Sequence, residues 1–400
     1  MGKAIDFAEL EREMAQQIES GLRPSLQIAV DFRGELVFER ALGDGATVDS
    51  TYVLWSSTKP LVAVALLQLV EEGRAALHDR VAKHFPEFGK LGKERCTILH
   101  LLTHRGGFPD SKPATRAELL RISRDWDASL AFVCDMEALW EPGTDRGYHP
   151  LSGWFVVGEL VQRLDGRPLA EALHARVLEP LGVPRDGFCL GRPQDLAAPP
   201  MTVRTRDAKN APTPREAEFW SDPKTHAACI PGALGIARAR TLAAFYRALL
   251  DGGKAEHGRI LSAEMTRTAT FPHVVGIPDR TMLRDMPWGL GMHLKHVLPA
   301  IDDCGKRATP GTFGHGGHFM VNTGWGDPGR NVAAAILSNG LAEPVAGMRA
   351  VCALSDAIHL AVDRATGGSR GQAPAADARG GAAQATRSGA RSEAQPSAVN

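Results

Sequence analysis

The chain begins with the helical spacing of apolar residues and then changes to the spacing of β-strands. The opening helix is indicated by apolar residues four or five positions apart: Ile5, Leu10, Met14 and Ile18. Residues 27–31 and 35–40 are short, partly alternating runs on either side of an Arg33-Gly34 turn signal, which predicts a β-hairpin. A strand-like run from Tyr52 to Trp55 then leads into an almost wholly apolar helix over residues 61–70.

The middle of the chain, about residues 82–227, has a helical pattern that differs from both ends. Helices are predicted at four places: 98–103, 116–122, 129–139 and 152–164. Residues 191–226 are rich in proline and polar side chains, which predicts a long irregular loop at the border of a functional site.

Strand patterns return in the last part of the chain, together with two further helices. The predicted helices cover residues 237–250 and 343–362, and the predicted strands cover residues 288–294, 317–324 and 331–338. Asp327-Pro328-Gly329 supplies a turn between the last two strands.

Strands at both ends of the chain around a helical middle favour an α+β fold, in which one antiparallel sheet is flanked by helices. Residues 1–81 and 228–365 would form this sheet domain, and residues 82–227 a mainly helical insertion with the long loop. The tail, residues 366–400, contains no aromatic residue, Leu, Ile or Met, so disorder is predicted there.

Composition narrows the expected partners. The 46 basic and 46 acidic residues cancel, so neither nucleic acid nor an anionic membrane is an expected partner. The longest apolar run is too short to span a bilayer, and the N-terminus lacks the apolar core of a signal peptide. Six scattered cysteines without a C-x-x-C pair favour reduced thiols, so a cytoplasmic protein is expected; the oligomeric state is left open.

The segment Ser56-Ser57-Thr58-Lys59 carries the clearest chemical pattern, S-x-x-K. Residues three apart share a helix face, so the Ser56 hydroxyl and the Lys59 amine should lie side by side. A serine needs such a base to act as a nucleophile, and burial in an apolar helix is expected to lower the pKa of Lys59. A helix cap at Ser56 and a solvated Lys59 are the alternative interpretations.

Two further segments supply candidate site residues. Tyr148 follows a Pro-Gly-Thr loop and precedes a predicted helix, where its ring either projects into a cleft or packs in the core. Phe313–His318 is glycine-rich, so its strand edge is a candidate donor of a backbone N–H to an oxyanion; a plain glycine turn is the alternative. An α/β-hydrolase is disfavoured because no G-x-S-x-G motif is found.

A metal site is the least favoured interpretation. His100 and His104 have the four-residue spacing of some zinc ligands, but no glutamate of an H-E-x-x-H motif accompanies them. Local packing explains the two histidines better, so neither a metal ion nor a cofactor is expected.

Together, these motifs resemble those of the serine β-lactamase and penicillin-binding-protein superfamily, most nearly its class C β-lactamases and the β-lactamase-like carboxylesterases. The similarity extends over roughly residues 20–360. It rests on segments 54–73, 98–107, 142–148, 231–237 and 313–317.

This resemblance implies both a fold and a set of roles. The fold is an antiparallel sheet between helices with an all-helical region, and the chemistry is an acyl-enzyme on Ser56. Lys59 and Tyr148 would share proton transfer, first activating the serine and then protonating the leaving group. His315 and Gly317 would line the strand beside the substrate, and the backbone N–H groups of Ser56 and His318 would form the oxyanion hole.

One departure narrows the expected reaction. The family tyrosine usually begins Tyr-x-Asn, whereas Tyr148-His149-Pro150 has no amide side chain to orient the lysine or bind a substrate amide. An esterase acting on a small-molecule ester is therefore favoured, which also fits the expected cytoplasmic location. The alternatives are an acyltransferase or amidase, a weak β-lactamase or peptidase, and a non-catalytic binding protein on the same scaffold.

Overall fold

The computed structural model describes residues 4–109, 115–193, 196, 198–205, 214–282, 285–295 and 302–367. The strands are β1 (Leu26–Phe32), β2 (Glu35–Leu42), β3 (Tyr52–Val53), β4 (Phe188–Leu190), β5 (Arg204–Thr205), β6 (Gly235–Ala237), β7 (Lys254–Ala255), β8 (Gly258–Arg259), β9 (His293–Leu294), β10 (Phe313–Gly316), β11 (Thr323–Asp327), β12 (Val332–Ser338) and β13 (Gly340–Leu341). The helices are α1 (Ala8–Glu19), α2 (Lys59–Glu71), α3 (Val81–His84), α4 (Ile98–Leu102), α5 (Arg116–Ile122), α6 (Trp126–Asp135), α7 (Ser152–Asp165), α8 (Leu169–Leu173), α9 (Pro214–Ser221), α10 (Pro223–His226), α11 (Ala239–Leu250), α12 (Ala263–Ala269) and α13 (Pro344–Ala365).

The main sheet has the strand order β2-β1-β12-β11-β10-β9, and all of its neighbouring strands are antiparallel. The pairing of β1 with β12 runs from Leu26 opposite Ser338 to Phe32 opposite Val332. Strands from opposite ends of the chain therefore lie side by side at the centre of the sheet. The predicted α+β class with an antiparallel sheet flanked by helices is confirmed.

Helices cover both faces of this sheet because its central strand is apolar on both sides. Val332, Ala334 and Ile336 of β12 pack in one core with α1 and α13. The alternate residues of β12 pack in a second core with α2 and α11: Ala333, Ala335 and Leu337. Successive side chains of a strand point to opposite faces, so one short apolar run serves both layers.

Helix α13 is the one helix among the described residues whose length and composition would suffice to cross a membrane, with a mean hydropathy of 1.4 over its most apolar stretch. Of that stretch, 61% is buried inside the protein. Val351, Leu354 and Ile358 pack against α1 and the main sheet. Such burial is the behaviour of a core helix.

A smaller antiparallel sheet, in the order β3-β6-β4, joins three separate parts of the chain. It brings the strand that precedes Ser56 next to the strand that follows Gly232. Strand β4 belongs to the predicted helical insertion yet pairs with β6 outside it. The division into a sheet domain and an insertion stays a prediction, and the predicted disorder beyond residue 367 lies outside the described residues.

Several predicted boundaries differ from the structure. The β1–β2 hairpin is confirmed, with Arg33 and Gly34 both at positive φ in its turn. The predicted strand over residues 317–324 is wrong: β10 ends at Gly316, and a 3₁₀ turn at His318–Met320 separates it from β11. The Gly317 N–H donates to the Asn322 carbonyl (2.6 Å), which closes this turn.

Three other segments need smaller corrections. The predicted strand over residues 288–294 is reduced to β9. The helix predicted over residues 129–139 is α6, which starts earlier because its N-cap, Asp125, accepts the Ala128 N–H (2.9 Å). The predicted irregular loop over residues 191–226 contains α9, α10 and β5, and residues 194, 195, 197 and 206–213 of it lie outside the described residues.

Candidate active site

Ser56 lies in a 3₁₀ turn, Trp55–Thr58, between β3 and the start of α2 at Lys59. In a 3₁₀ helix, residues three apart are almost eclipsed, which sets the Ser56 and Lys59 side chains on one side of the turn. The distance from Lys59 Nζ to Ser56 Oγ is 3.0 Å. Pro60 fits directly after Lys59 because the first turn of a helix does not need its N–H.

The residue before the serine has a strained backbone. Trp55 has a φ of 45°, in the left-handed region that costs a bulky residue about 1–3 kcal/mol. Its ring is buried and packs edge-on against Trp220, with ring centroids 6.1 Å apart. Packing around the indole therefore holds the turn in a conformation that the backbone alone would avoid.

Hydrogen bonds fix this turn from two sides. The Ser57 hydroxyl donates to the carbonyl of His315 in β10 (2.8 Å). On the other side, the Leu54 N–H donates to the Gly235 carbonyl (2.7 Å), and the Gly235 N–H donates to Thr58 Oγ1 (2.9 Å). The Ser56 hydroxyl is thereby held between β6 and the end of β10, where it remains partly exposed.

Lys59 is fully buried, and backbone carbonyls hold its amine. Nζ donates to the carbonyls of Pro150 (2.8 Å) and Gly232 (2.6 Å) as well as to Ser56 Oγ (3.0 Å). The two carbonyls accept two N–H groups in either protonation state, so the remaining position of the nitrogen faces the serine. That position carries an N–H in the ammonium form and a lone pair in the amine form, which makes Ser56 the group from which Lys59 can take a proton.

Tyr148 reaches the same oxygen from the loop before α7. Its phenol donates to Ser56 Oγ at 2.9 Å, and its ring lies 5.3 Å from Lys59 Nζ. The ring packs against His104, with centroids 4.6 Å apart, and more loosely against Trp288 at 6.0 Å. The structure thus brings together the three side chains that the sequence nominated for proton transfer.

The glycine-rich segment runs alongside this triad. The His315 ring lies 6.2 Å from the Tyr148 ring; its Nδ1–H donates to the Gly316 carbonyl (2.7 Å), which leaves Nε2 as an acceptor without a partner among the described residues. A Cβ on Gly317 would lie 2.9 Å from the Leu54 carbonyl, so glycine permits the close approach of β10 to the serine turn.

The His318 side chain contacts α9. Its Nε2 lies 2.8 Å from Glu216 Oε1, which connects the 3₁₀ turn after β10 to α9. The sequence assigned a role to its backbone N–H and not to its ring. The oxyanion hole from the N–H groups of Ser56 and His318 stays a prediction.

Three buried histidines surround the triad, and burial favours their neutral forms. Burial lowers the pKa of His149 to about 3. Burial, together with the nearby Lys59 charge, also lowers the pKa values of His104 and His315 well below the ordinary range. Neutral imidazoles therefore add no positive charge beside Lys59.

The sequence missed the two carbonyls that hold Lys59. The carbonyl of Pro150 accepts a hydrogen bond from Lys59 Nζ, so the missing asparagine does not leave the lysine unsupported. Gly232 lies in segment 231–237, which resembles the superfamily, but the role of a backbone carbonyl cannot be inferred from the residue type. A Cβ on Gly232 would lie only 2.8 Å from the Pro150 carbonyl oxygen, the other acceptor of Lys59, which explains the glycine.

The histidine pair considered as zinc ligands serves local structure. His100 Nδ1 accepts the Thr97 N–H (3.3 Å) in a capping box, and His104 Nδ1 accepts the His149 N–H (3.0 Å). Within the part of the chain that the structure describes, no group of three or more metal-ligating side chains is present. The role that the sequence overlooked for His104 is its contact with the Tyr148 ring.

This fold and this arrangement define a class of protein. Residues 10–354 match the family model described as Beta-lactamase, so the chain belongs to the β-lactamase family. Among curated proteins it is similar to the esterase/β-lactamase LipL of Mycobacterium tuberculosis, with 29% identity over 331 residues that cover 75% of this chain and 71% of LipL.

Solved structures agree with this assignment. A penicillin-binding protein homologue of Caulobacter crescentus is 28% identical, with a TM-score of 0.71 over 90% of this chain and 99% of its own. A family VIII carboxylesterase is 25% identical, with a TM-score of 0.72 over 88% of this chain and 97% of its own. The relatives named here thus include an esterase/β-lactamase and a carboxylesterase, which supports a hydrolase.

Proposed function

We propose that this protein is a serine esterase that forms a covalent acyl-enzyme on Ser56. The observation that supports this most directly is the convergence on one oxygen: Lys59 Nζ lies 3.0 Å and the Tyr148 hydroxyl 2.9 Å from Ser56 Oγ. A structural serine rarely needs both a buried amine and a phenol. A nucleophilic serine needs a base and a proton donor at this distance.

The proposed reaction begins with the amine form of Lys59. Ser56 Oγ attacks the ester carbonyl carbon while its proton passes to Lys59 Nζ. The C–O bond to the alcohol then breaks, and the Tyr148 hydroxyl gives its proton to the leaving oxygen and regains one from Lys59. Water repeats the sequence on the acyl-enzyme and releases the acid. Positioned proton transfer of this kind contributes roughly 10²–10⁴-fold to the rate.

The surroundings of the triad favour an ester as substrate. Pro150 offers its carbonyl to Lys59, but it has no amide side chain to bind a substrate amide. Ester carbonyls need no such partner, whereas β-lactams and peptides carry an amide. The substrate is therefore proposed to be a small-molecule ester, and the partly exposed Ser56 and Tyr148 side chains leave it access. The six cysteines, all of them free, support a cytoplasmic location.

The decisive experiment compares Ser56→Ala with wild type on p-nitrophenyl acetate, a p-nitroanilide and nitrocefin. Ester turnover should fall by roughly 10⁴–10⁶-fold and fluorophosphonate labelling should disappear. Ser262→Ala is the matched control, because Ser262 caps the distant helix α12 and should leave both signals intact. Persistent labelling of Ser56→Ala would exclude the assignment. Nitrocefin turnover above ester turnover would favour a β-lactamase.

A further inference from the structure

The backbone of Tyr148 is anchored by a buried carboxylate from a distant part of the chain. Asp279 is 2% exposed, and its Oδ1 accepts the Tyr148 N–H at 3.1 Å. The same oxygen accepts the N–H groups of Thr281 (2.9 Å) and Met282 (2.8 Å). One carboxylate oxygen thus binds two backbone N–H groups of its own loop and one of the loop that carries Tyr148.

The second oxygen of this carboxylate faces a buried cation. Asp279 Oδ2 lies 3.5 Å from Nε of Arg146, which precedes Tyr148 by two residues and is itself fully buried. The Arg280 N–H donates to the Arg146 carbonyl (3.0 Å), so the two loops are joined by backbone as well as by charge. Asp285 Oδ1 approaches the same guanidinium at 3.7 Å.

We propose that Asp279 is a positioning residue for Tyr148, an inference that rests on the proposed esterase mechanism. Tyr148 lies in a loop without regular secondary structure, so no helix or strand fixes its backbone. The phenol must stay within hydrogen-bond reach of both Ser56 Oγ and the leaving oxygen. A displacement of about 1 Å is enough to cost roughly 10²-fold in rate.

Esters with different leaving groups can show whether Asp279 positions Tyr148 or only stabilises the folded protein. A p-nitrophenolate departs as a stable anion and needs little help from a proton donor. An alkoxide departs only with a proton, which in this mechanism comes from Tyr148. A misplaced Tyr148 should therefore slow acylation by alkyl esters far more than acylation by nitrophenyl esters of the same acid, whereas a general loss of folded protein would reduce both equally.

The test measures kcat and KM for ethyl butyrate and p-nitrophenyl butyrate with two variants. Asp279→Ala removes the acceptor; Asp279→Glu keeps the charge opposite Arg146 and moves the acceptor, which protects folding. Because kcat/KM reports acylation alone and both esters form the same butyryl-enzyme, the comparison uses kcat/KM. In each variant, kcat/KM for the ethyl ester should fall by roughly 10²-fold and kcat/KM for the nitrophenyl ester by less than about 5-fold. Asp279→Asn retains an acceptor oxygen, so its ratio of ethyl-ester to nitrophenyl-ester kcat/KM should stay close to that of wild type. Asp285→Asn removes the other carboxylate beside Arg146 and should leave the ratio unchanged.

A double-mutant cycle makes the result specific. In a Tyr148→Phe background, Asp279→Glu should cause no further selective loss on the ethyl ester, because the group it positions is already absent. Equal losses on both esters, or additive losses in the cycle, would overturn the inference. Turnover by Ser56→Ala would instead overturn the esterase mechanism itself, so the two failures can be told apart.

Discussion

At the scale of single residues, two buried lysines hold their amines in the same way, and one of them lies beside a serine. Lys59 and Lys93 are both fully buried, and each donates to two backbone carbonyls. Burial lowers the pKa of Lys93. Only Lys59 also contacts a serine hydroxyl in a partly exposed position. The pair therefore separates the consequence of burying a lysine from the consequence of placing it beside Ser56.

Lys59→Met should reduce ester kcat by roughly 10³-fold or more, because the serine loses its proton acceptor while the chain retains a side chain of similar length. Steady-state turnover of p-nitrophenyl acetate, with thermal unfolding to confirm the fold, measures this. Lys93→Met is the control; it removes an equivalent buried amine and should leave kcat within about 3-fold of wild type. A Lys59→Met enzyme with normal kcat would remove the lysine from the mechanism.

The candidate triad was predictable from sequence to different degrees. Ser56 and Lys59 are three residues apart, so local geometry alone places them together. Tyr148 is 92 residues from Ser56; its position after a loop made it a candidate, and only the resemblance to a family motif paired it with Ser56. Asp279 and the carbonyls of Pro150 and Gly232 gave no signal, because their contribution depends on tertiary contacts and, for the carbonyls, on atoms that every residue has.

At the scale of elements, the 3₁₀ turn that carries Ser56 has little stability of its own. A short 3₁₀ turn has poor hydrogen-bond geometry, and Trp55 strains it further. Its position depends on the anchor from Ser57 to β10 and the two contacts to β6. The strand over residues 317–324 was wrongly predicted because the turn after β10 is closed by the backbone hydrogen bond from Gly317 to Asn322, which the alternation of apolar residues does not reveal.

Ser57→Ala should lower kcat by roughly 10-fold or more and leave KM nearly unchanged, because the His315 carbonyl loses its donor and the serine turn loosens. The unsatisfied buried carbonyl should also cost about 1–3 kcal/mol of unfolding free energy. Urea unfolding and ester kinetics give the two values.

Ser129→Ala is the matched control, because this buried serine donates to the Ile122 carbonyl (3.1 Å) in the helical region. It should lose comparable stability without a change in kcat. An equal effect of both variants on kcat would show that the loss at Ser57 reflects stability and not the position of the turn.

At the scale of the whole molecule, the cluster of neutral histidines makes the folded state sensitive to acid. The pKa of His149 is about 3 in the folded protein, whereas an unfolded histidine titrates near pH 6.5. Between these pH values, His149 is protonated in the unfolded chain and neutral in the folded protein. Stability is therefore lost as the pH falls from about 6.5 towards 3, and it is regained as the pH rises.

His149→Gln should reduce this acid sensitivity, because the amide oxygen can still accept the Phe108 N–H but no longer titrates. The slope of unfolding free energy against pH, measured by urea denaturation between pH 4 and 6, should decrease by about 1.4 kcal/mol per pH unit. His257→Gln, at an exposed side chain, is the control and should leave the slope unchanged. An unaltered slope in His149→Gln would show that this histidine is already protonated in the folded protein.

The pairing of β1 with β12 also sets the order of events during synthesis. Residues 26–32 leave the ribosome long before their partners at 332–338, and at 5–20 residues per second the delay is roughly 15–60 s. During that interval the first hairpin has no neighbour on one edge. His315, whose carbonyl anchors the Ser56 turn, emerges late as well. The nascent chain therefore carries its serine for most of translation without the surroundings that would make it reactive.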